Sequence, residues 1–144
     1  MSSTLPQATY NALIQRSIDL VALYRCAAAT CEPGLGFVLS ENAHTLDTMI
    51  ADLQAQLRAS GGTPRESGTL RGAARRYLGS VSKIATPCDV AWIRELADDE
   101  SELLHAFEKV VAKLPPESAL ALRRQLPRLN SIHMDMGNLA GNAL

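Results

Sequence analysis

Four long stretches of this chain space their apolar residues at the period of an α-helix, and glycine or proline punctuates the junctions between them. The first, about residues 5–30, aligns Tyr10, Leu13, Ile14, Ser17, Val21, Tyr24 and Ala28. Pro33-Gly34 and Gly36 follow, and the second stretch, about 37–60, aligns Leu39, Ala43, Leu46, Met49, Ile50, Leu53 and Leu57. Gly61-Gly62 stops it, as glycine does just past a last helical turn. The third, about 87–114, opens at Thr86-Pro87, a cap residue and a first-turn proline, and aligns Ile93, Leu96, Ala97, Leu103, Leu104, Phe107 and Val110. Pro115-Pro116 closes it. The fourth, about 117–140, aligns Leu122, Leu126, Leu129, Ile132, Met136 and Ala140, and Pro127 inside it predicts a kink or break.

A length of 144 residues fits one domain, residues 1–144. Aromatics make up only 4% against 47% apolar residues, which suits helices packed on small side chains better than a β-sandwich. The predicted class is therefore all-α. The junctions between the first and second stretches and between the third and fourth are short, so those helices are expected to lie antiparallel. Residues 61–86, between the second and third, form a long crossover. It carries its own amphipathic set, Leu70, Ala73, Ala74, Tyr77, Val81 and Ile84, which predicts a short helix. A four-helix bundle with one long crossover in that place is the ferritin-like arrangement. Arg71, Arg75 and Arg76 invite an anion site, but a solvated face on that short helix is the preferred reading.

Net charge is −1, which gives no electrostatic reason to expect nucleic acid or an anionic membrane as partner. No apolar run approaches the roughly 18 residues needed to span a bilayer. Cys26, Cys31 and Cys88 include no Cys-x-x-Cys pair and read as reduced small hydrophobes. The start, Met1-Ser2-Ser3-Thr4-Leu5-Pro6, shows neither a basic nor an apolar leader region, and a cytoplasmic location is expected.

Two Glu-x-x-His strings, Glu41–His44 and Glu102–His105, match the spacing of a carboxylate-bridged two-metal centre. At about 100° per residue, however, both fall away from the apolar stripe of their own helix. The inward polar residues are others: Glu100 on the third stripe, His133 and Gln125 on the fourth, Tyr24 and Ser17 on the first. Asp19 phases outward, and Asn130 stands three residues before His133, where a two-metal centre wants glutamate. A carboxylate in an apolar core needs a partner, so Glu100 is expected to pair with His133, Tyr24 or Gln125. Such a cluster fixes helix register, or with Glu100 and His133 as ligands holds a weak iron or manganese site. On the register reading, Glu100→Gln is expected to cost on the order of 1–3 kcal/mol, because His133 loses its partner.

From Tyr10 to Leu139 the sequence resembles the bacterial four-helix-bundle family named domain of unknown function 2383, within the ferritin-like superfamily. The resemblance rests on Leu13-Ile14 with Asp19 and Tyr24, and on Leu53-Gln54 running into Gly61-Gly62-x-Pro64. It continues in Ser67-Gly68-x-Leu70-x-Gly72-Ala73 with Arg76, in Glu100 and Phe107, and in Leu114-Pro115-Pro116-Glu117, Gln125 and His133. Arg75 stands where the family often has histidine, Pro127 interrupts the last helix, and threonines replace acids common on the second. The resemblance implies the ferritin-like fold and no particular reaction. The expected function is non-enzymatic association, with a second copy or a partner protein. The alternative is a degenerate ferritin-like metal or redox protein built on Glu100 and His133, with Tyr24 as a further candidate.

Overall fold

The structure, a computed structural model, describes residues 5–69 and 88–143. Among these, five helices account for the regular structure: α1 (Gln7–Thr30), α2 (Pro33–Ala59), α3 (Cys88–Lys113), α4 (Pro116–Arg123) and α5 (Leu126–Ala143). The class is all-α. The Thr86-Pro87 start of the third stretch, the short crossover helix, and Arg71, Arg75 and Arg76 lie outside the described residues.

One boundary differs from the sequence reading, and at Pro127 the structure shows a break where a kink or break is expected, each for a local reason. The second helix begins at Pro33, not near residue 37. Proline loses nothing at a first helical position, and the Glu32 side chain caps the turn by accepting from Leu35 N at 2.7 Å. The turn residues Pro33-Gly34 therefore belong to the helix. The fourth stretch is two helices. Gln125 N bonds back three residues to Leu122 O, and the helix resumes at Leu126 with Pro127 in its first turn. The chain breaks just before Pro127, because proline would clash with the carbonyl four residues earlier in a continuous helix.

At the far end of α2 the stop is a paired-carbonyl cap. Gly61, at φ +92°, turns the chain so that Gly62 N reaches Leu57 O and Gly61 N reaches Arg58 O, both at 2.9 Å. Helix α1 packs against α2 and α3, α3 against α5 and α4, and α2 against α5 and α4. Their shared interior holds Tyr10, Ile14, Leu46, Leu53, Leu96 and Phe107, each without solvent exposure. Tyr10 satisfies its hydroxyl by donating to Ser118 O at 2.5 Å, tying α1 to α4.

A row of polar residues on α1 holds the first part of the crossover. Gln7 accepts from Thr63 N, Asn11 bonds both Thr63 O and Arg65 N, Gln15 donates to Ser67 O, and Asp19 accepts from Thr69 N and Oγ1. The rungs advance four residues on the helix for every two on the strap. Four helical residues rise about 6 Å and two extended residues about 6.6 Å, so the two repeats stay in step. Residues 63–69 thus run extended along α1. Asp19 half faces this strap, which is why its outward phase still gives it a partner. At Gly68 an added Cβ would lie 2.1 Å from Asp19 Oδ1. Gly68→Ala is expected to expel the Asp19 carboxylate from Thr69 and cost about 1–3 kcal/mol in chemical denaturation. In an Asp19→Ala background the same substitution should cost much less; equal costs in both backgrounds would remove Asp19 from the explanation.

Candidate functional site

Tyr24, Asn42, Glu100 and His133 come from four different helices, α1, α2, α3 and α5. Glu100 has no solvent exposure, because its phase on α3 sets it on the same stripe as Leu96, Leu103 and Leu104. Its Oε2 lies 2.9 Å from His133 Nδ1. Its Oε1 is buried without a hydrogen-bond partner, and so is the hydroxyl of Tyr24. Asn42 is buried beside the phenol and donates its Nδ2–H to Met136 Sδ at 3.6 Å, a weak acceptor.

His133 is less deeply placed than its stripe position predicts. Its side chain is 48% exposed, so the imidazole links the buried carboxylate to solvent. Gln125 is buried but does not join the cluster: its Oε1 accepts from Arg128 Nη1 at 2.7 Å, and the same nitrogen reaches Asp52 Oδ2 at 2.6 Å. That group ties α5 to α2. Ser17 is fully buried and bonds back to Leu13 O, spending its hydroxyl inside α1.

Electrostatics follow from burial. Desolvation raises the Glu100 carboxyl above the usual carboxylate range, against the opposing pull of the His133 hydrogen bond and charge and of His105. Burial also drives the Tyr24 phenol far above its ordinary value, and the carboxylates of Glu100, Asp135 and Asp99 push it in the same direction. A side-chain hydrogen bond with Asn42 lowers it. The cluster thus holds a buried carboxyl whose Oε1 makes no hydrogen bond.

The two Glu-x-x-His strings stand apart from it. Glu41, His44, Glu102 and His105 are all exposed. His105 pairs with Glu108 at 3.4 Å, not with Glu102. Asn130 donates to Leu126 O within its own helix. Among the described residues no group of three or more His, Cys, Asp or Glu side chains gathers as metal ligands do. Cys26 and Cys31 are half-buried and outside any disulfide, and the Cys88 side chain lies outside the described residues. Among the described residues no helix is long and apolar enough to cross a membrane. Sequence phasing passed over Asn42 and Asn11, both buried polar residues. For Asn11 a signal existed in the four-residue spacing of Gln7, Asn11, Gln15 and Asp19.

No curated protein and no solved structure matches the chain. The sequence profile of one family does, over residues 7–113, a span that includes the α1 polar row, the Gly-Gly-x-Pro and Ser-Gly strap and Glu100. It stops short of the Leu139 limit of the sequence resemblance, before Gln125 and His133. On that match the chain belongs to the family described as Domain of unknown function (DUF2383).

Proposed function

We propose that this chain is a ferritin-like four-helix bundle that works without catalysis, by associating with a second copy or with a partner protein. The bundle reading takes α4 and α5 together as the fourth helix and residues 61–86 as the crossover. The mutual packing of α1 with α2 and α3, and of α5 with α3 and α2, supports it. The association reading rests on one observation. Phe37 on α2 and Met134 on α5, two helices that pack together, leave 68% and 67% of their surface in water. Burying such side chains is worth about 1.5–3 kcal/mol each. In a two-fold dimer each counts twice, for a gain on the order of 10 kcal/mol, which is comparable to the cost of association. Weak, concentration-dependent assembly is the expected result. Sedimentation of the parent and of a Phe37→Ser/Met134→Ser chain tests it, with assembly expected in the first and lost in the second. A parent that stays monomeric at high concentration and recovers no partner in a pull-down overturns the reading.

A second reading, a degenerate metal-binding bundle using iron or manganese at Glu100 and His133, draws on the unpartnered Glu100 Oε1. A two-metal centre does not fit: it needs two carboxylate helices and two Glu-x-x-His helices facing inward, and the inward donors here are one glutamate and one histidine. What remains of this reading is a single ion. Its donors are already neighbours at 2.9 Å, one oxygen is open, and the half-exposed imidazole gives a way in.

A further inference from the structure

Helix α5 carries two seams. One turns Leu129, Ile132 and Met136 into the bundle, where all three are buried. The other runs along the outward side through Asn130, Met134, Gly137 and Gly141, at steps of four, three and four residues, and all four are exposed. That is the spacing at which one helix packs along another. Nothing in the chain covers it: Met134 keeps 67% of its surface in water, and a Cβ added at Gly137 or Gly141 would meet no atom within 4 Å. Glycine is a poor helix former, and packing inside the chain gives no reason for either of these two. We propose that this seam is the interface with a second copy of the chain, two α5 helices crossing antiparallel about a two-fold axis near residues 137–138. The inference rests on the association reading above and deepens it by naming the partner and the helix.

The seam carries no charge, whereas the outward side of α3 exposes Arg94, Asp98, Glu102, Glu108, Lys109 and Lys113. Interface centres are depleted in charge and enriched in methionine and aromatic residues. An uncharged face also meets its own copy without like-charge repulsion. The seam is complementary to itself. Met134 is a knob, and Gly137 with Gly141 leaves a hollow one turn further on. Across the two-fold axis Met134 of each copy lies opposite the hollow of the other, the reciprocal contact that such an interface requires. The contacts Asn42–Met136 and Asp52–Arg128 set α2 antiparallel to α5 and put Phe37 near the level of Gly141. Met134 of the second copy therefore arrives beside Phe37, a favourable thioether–ring pairing of two side chains that a single chain leaves in water. At 1.5 Å per residue and a helix diameter of about 10 Å, the 18 residues of α5 beside α2 present a face about 27 Å long and about 20 Å wide. That is on the order of 500 Å² per chain, below the roughly 800 Å² of a standard stable interface, so the pairing is weak and concentration-dependent.

Sedimentation equilibrium of the full chain from micromolar to millimolar concentration, beside a Gly137→Gln/Gly141→Gln chain, tests the pairing. Glutamine fills the hollow and favours the helix, so the variant should melt at a higher temperature than the parent when both are dilute. The same change should weaken dimerisation about tenfold or more. Ala12→Gln, on the exposed side of α1, should dimerise as the parent does. A chain that dimerises equally well with both glycines replaced overturns the α5 seam, and the Phe37→Ser/Met134→Ser chain then decides whether the association reading stands. A parent that forms trimers or larger assemblies without a dimer overturns the two-fold pairing. A parent that stays monomeric overturns the inference outright, and the pull-down decides separately whether association with a different protein survives.

Discussion

With metal removed by a chelator, the Glu100→Gln chain is expected to unfold at a higher temperature than the parent at pH 7, and the gap to close as the pH falls toward 4.5. The fold raises the Glu100 carboxyl above its ordinary value of 4.5, chiefly because the side chain has no contact with water. Between 4.5 and the raised value, the folded chain holds a proton that the unfolded chain has released. Stability therefore declines as pH rises through that window and stays reduced above it. Glutamine has the same shape and no such titration. The opposite expectation, a loss of 1–3 kcal/mol, assumes that His133 is stranded in the core. The imidazole is 48% exposed, so water takes over its bond when the carboxylate goes. Replacing a buried ion pair by neutral groups of similar volume is often neutral or gains about 1–4 kcal/mol, and the loss on removing one partner arises only where the other stays buried. The half-open site argues for the lower end, about 1 kcal/mol or roughly 3 °C in Tm. A parallel pH profile, or a glutamine chain less stable at pH 7, would show that the His133 bond outweighs burial.

That sign matters for function. A side chain that lowers stability where it stands has the profile of a binding residue and not of a packing residue. The register-fixing alternative needs every member of the cluster satisfied, and Glu100 Oε1 is not.

Helix period made the five-helix core largely legible, because the apolar stripe alone dictates which face is buried. Leu46, Leu53, Leu96, Phe107 and Leu129 all lie on their sequence stripes and have no exposure. The same phasing separated Glu100 from Glu102 and turned both Glu-x-x-His strings outward. It failed where depth across a stripe mattered. His133 and Glu100 have equivalent phases, but His133 sits near the solvent edge, and neighbouring helices rather than its own helix set that difference. Gln125 was misplaced for a different reason. Its position falls in the break before Pro127, where helical phase no longer applies, and Arg128 captures it. The strap could not be seen in any single segment. It depends on a helix row and an extended chain keeping equal rise, a relation between residues about 50 positions apart.

Gly36→Ala and Gly137→Ala make the same chemical change in two helices and are expected to act in opposite directions. Alanine is the better helix former by about 1 kcal/mol, so propensity favours both. At Gly137 in α5 an added methyl meets nothing within 4 Å, and propensity alone should act, raising stability by about that amount. At Gly36 the methyl would lie 2.7 Å from the backbone oxygen of Ala28, with the Ala28 carbonyl carbon and Cα next nearest. No rotamer change relieves a clash with backbone, so α1 and α2 must move apart where Cys31 and Glu32 join them. Overpacking of this kind costs about 1–3 kcal/mol, which exceeds the propensity gain. Moving that joint also shifts Tyr24 on α1 relative to Asn42 on α2. Measured by urea unfolding, a Gly36→Ala chain as stable as the parent would show that the two helices separate at no cost. The close approach would then be incidental to the fold.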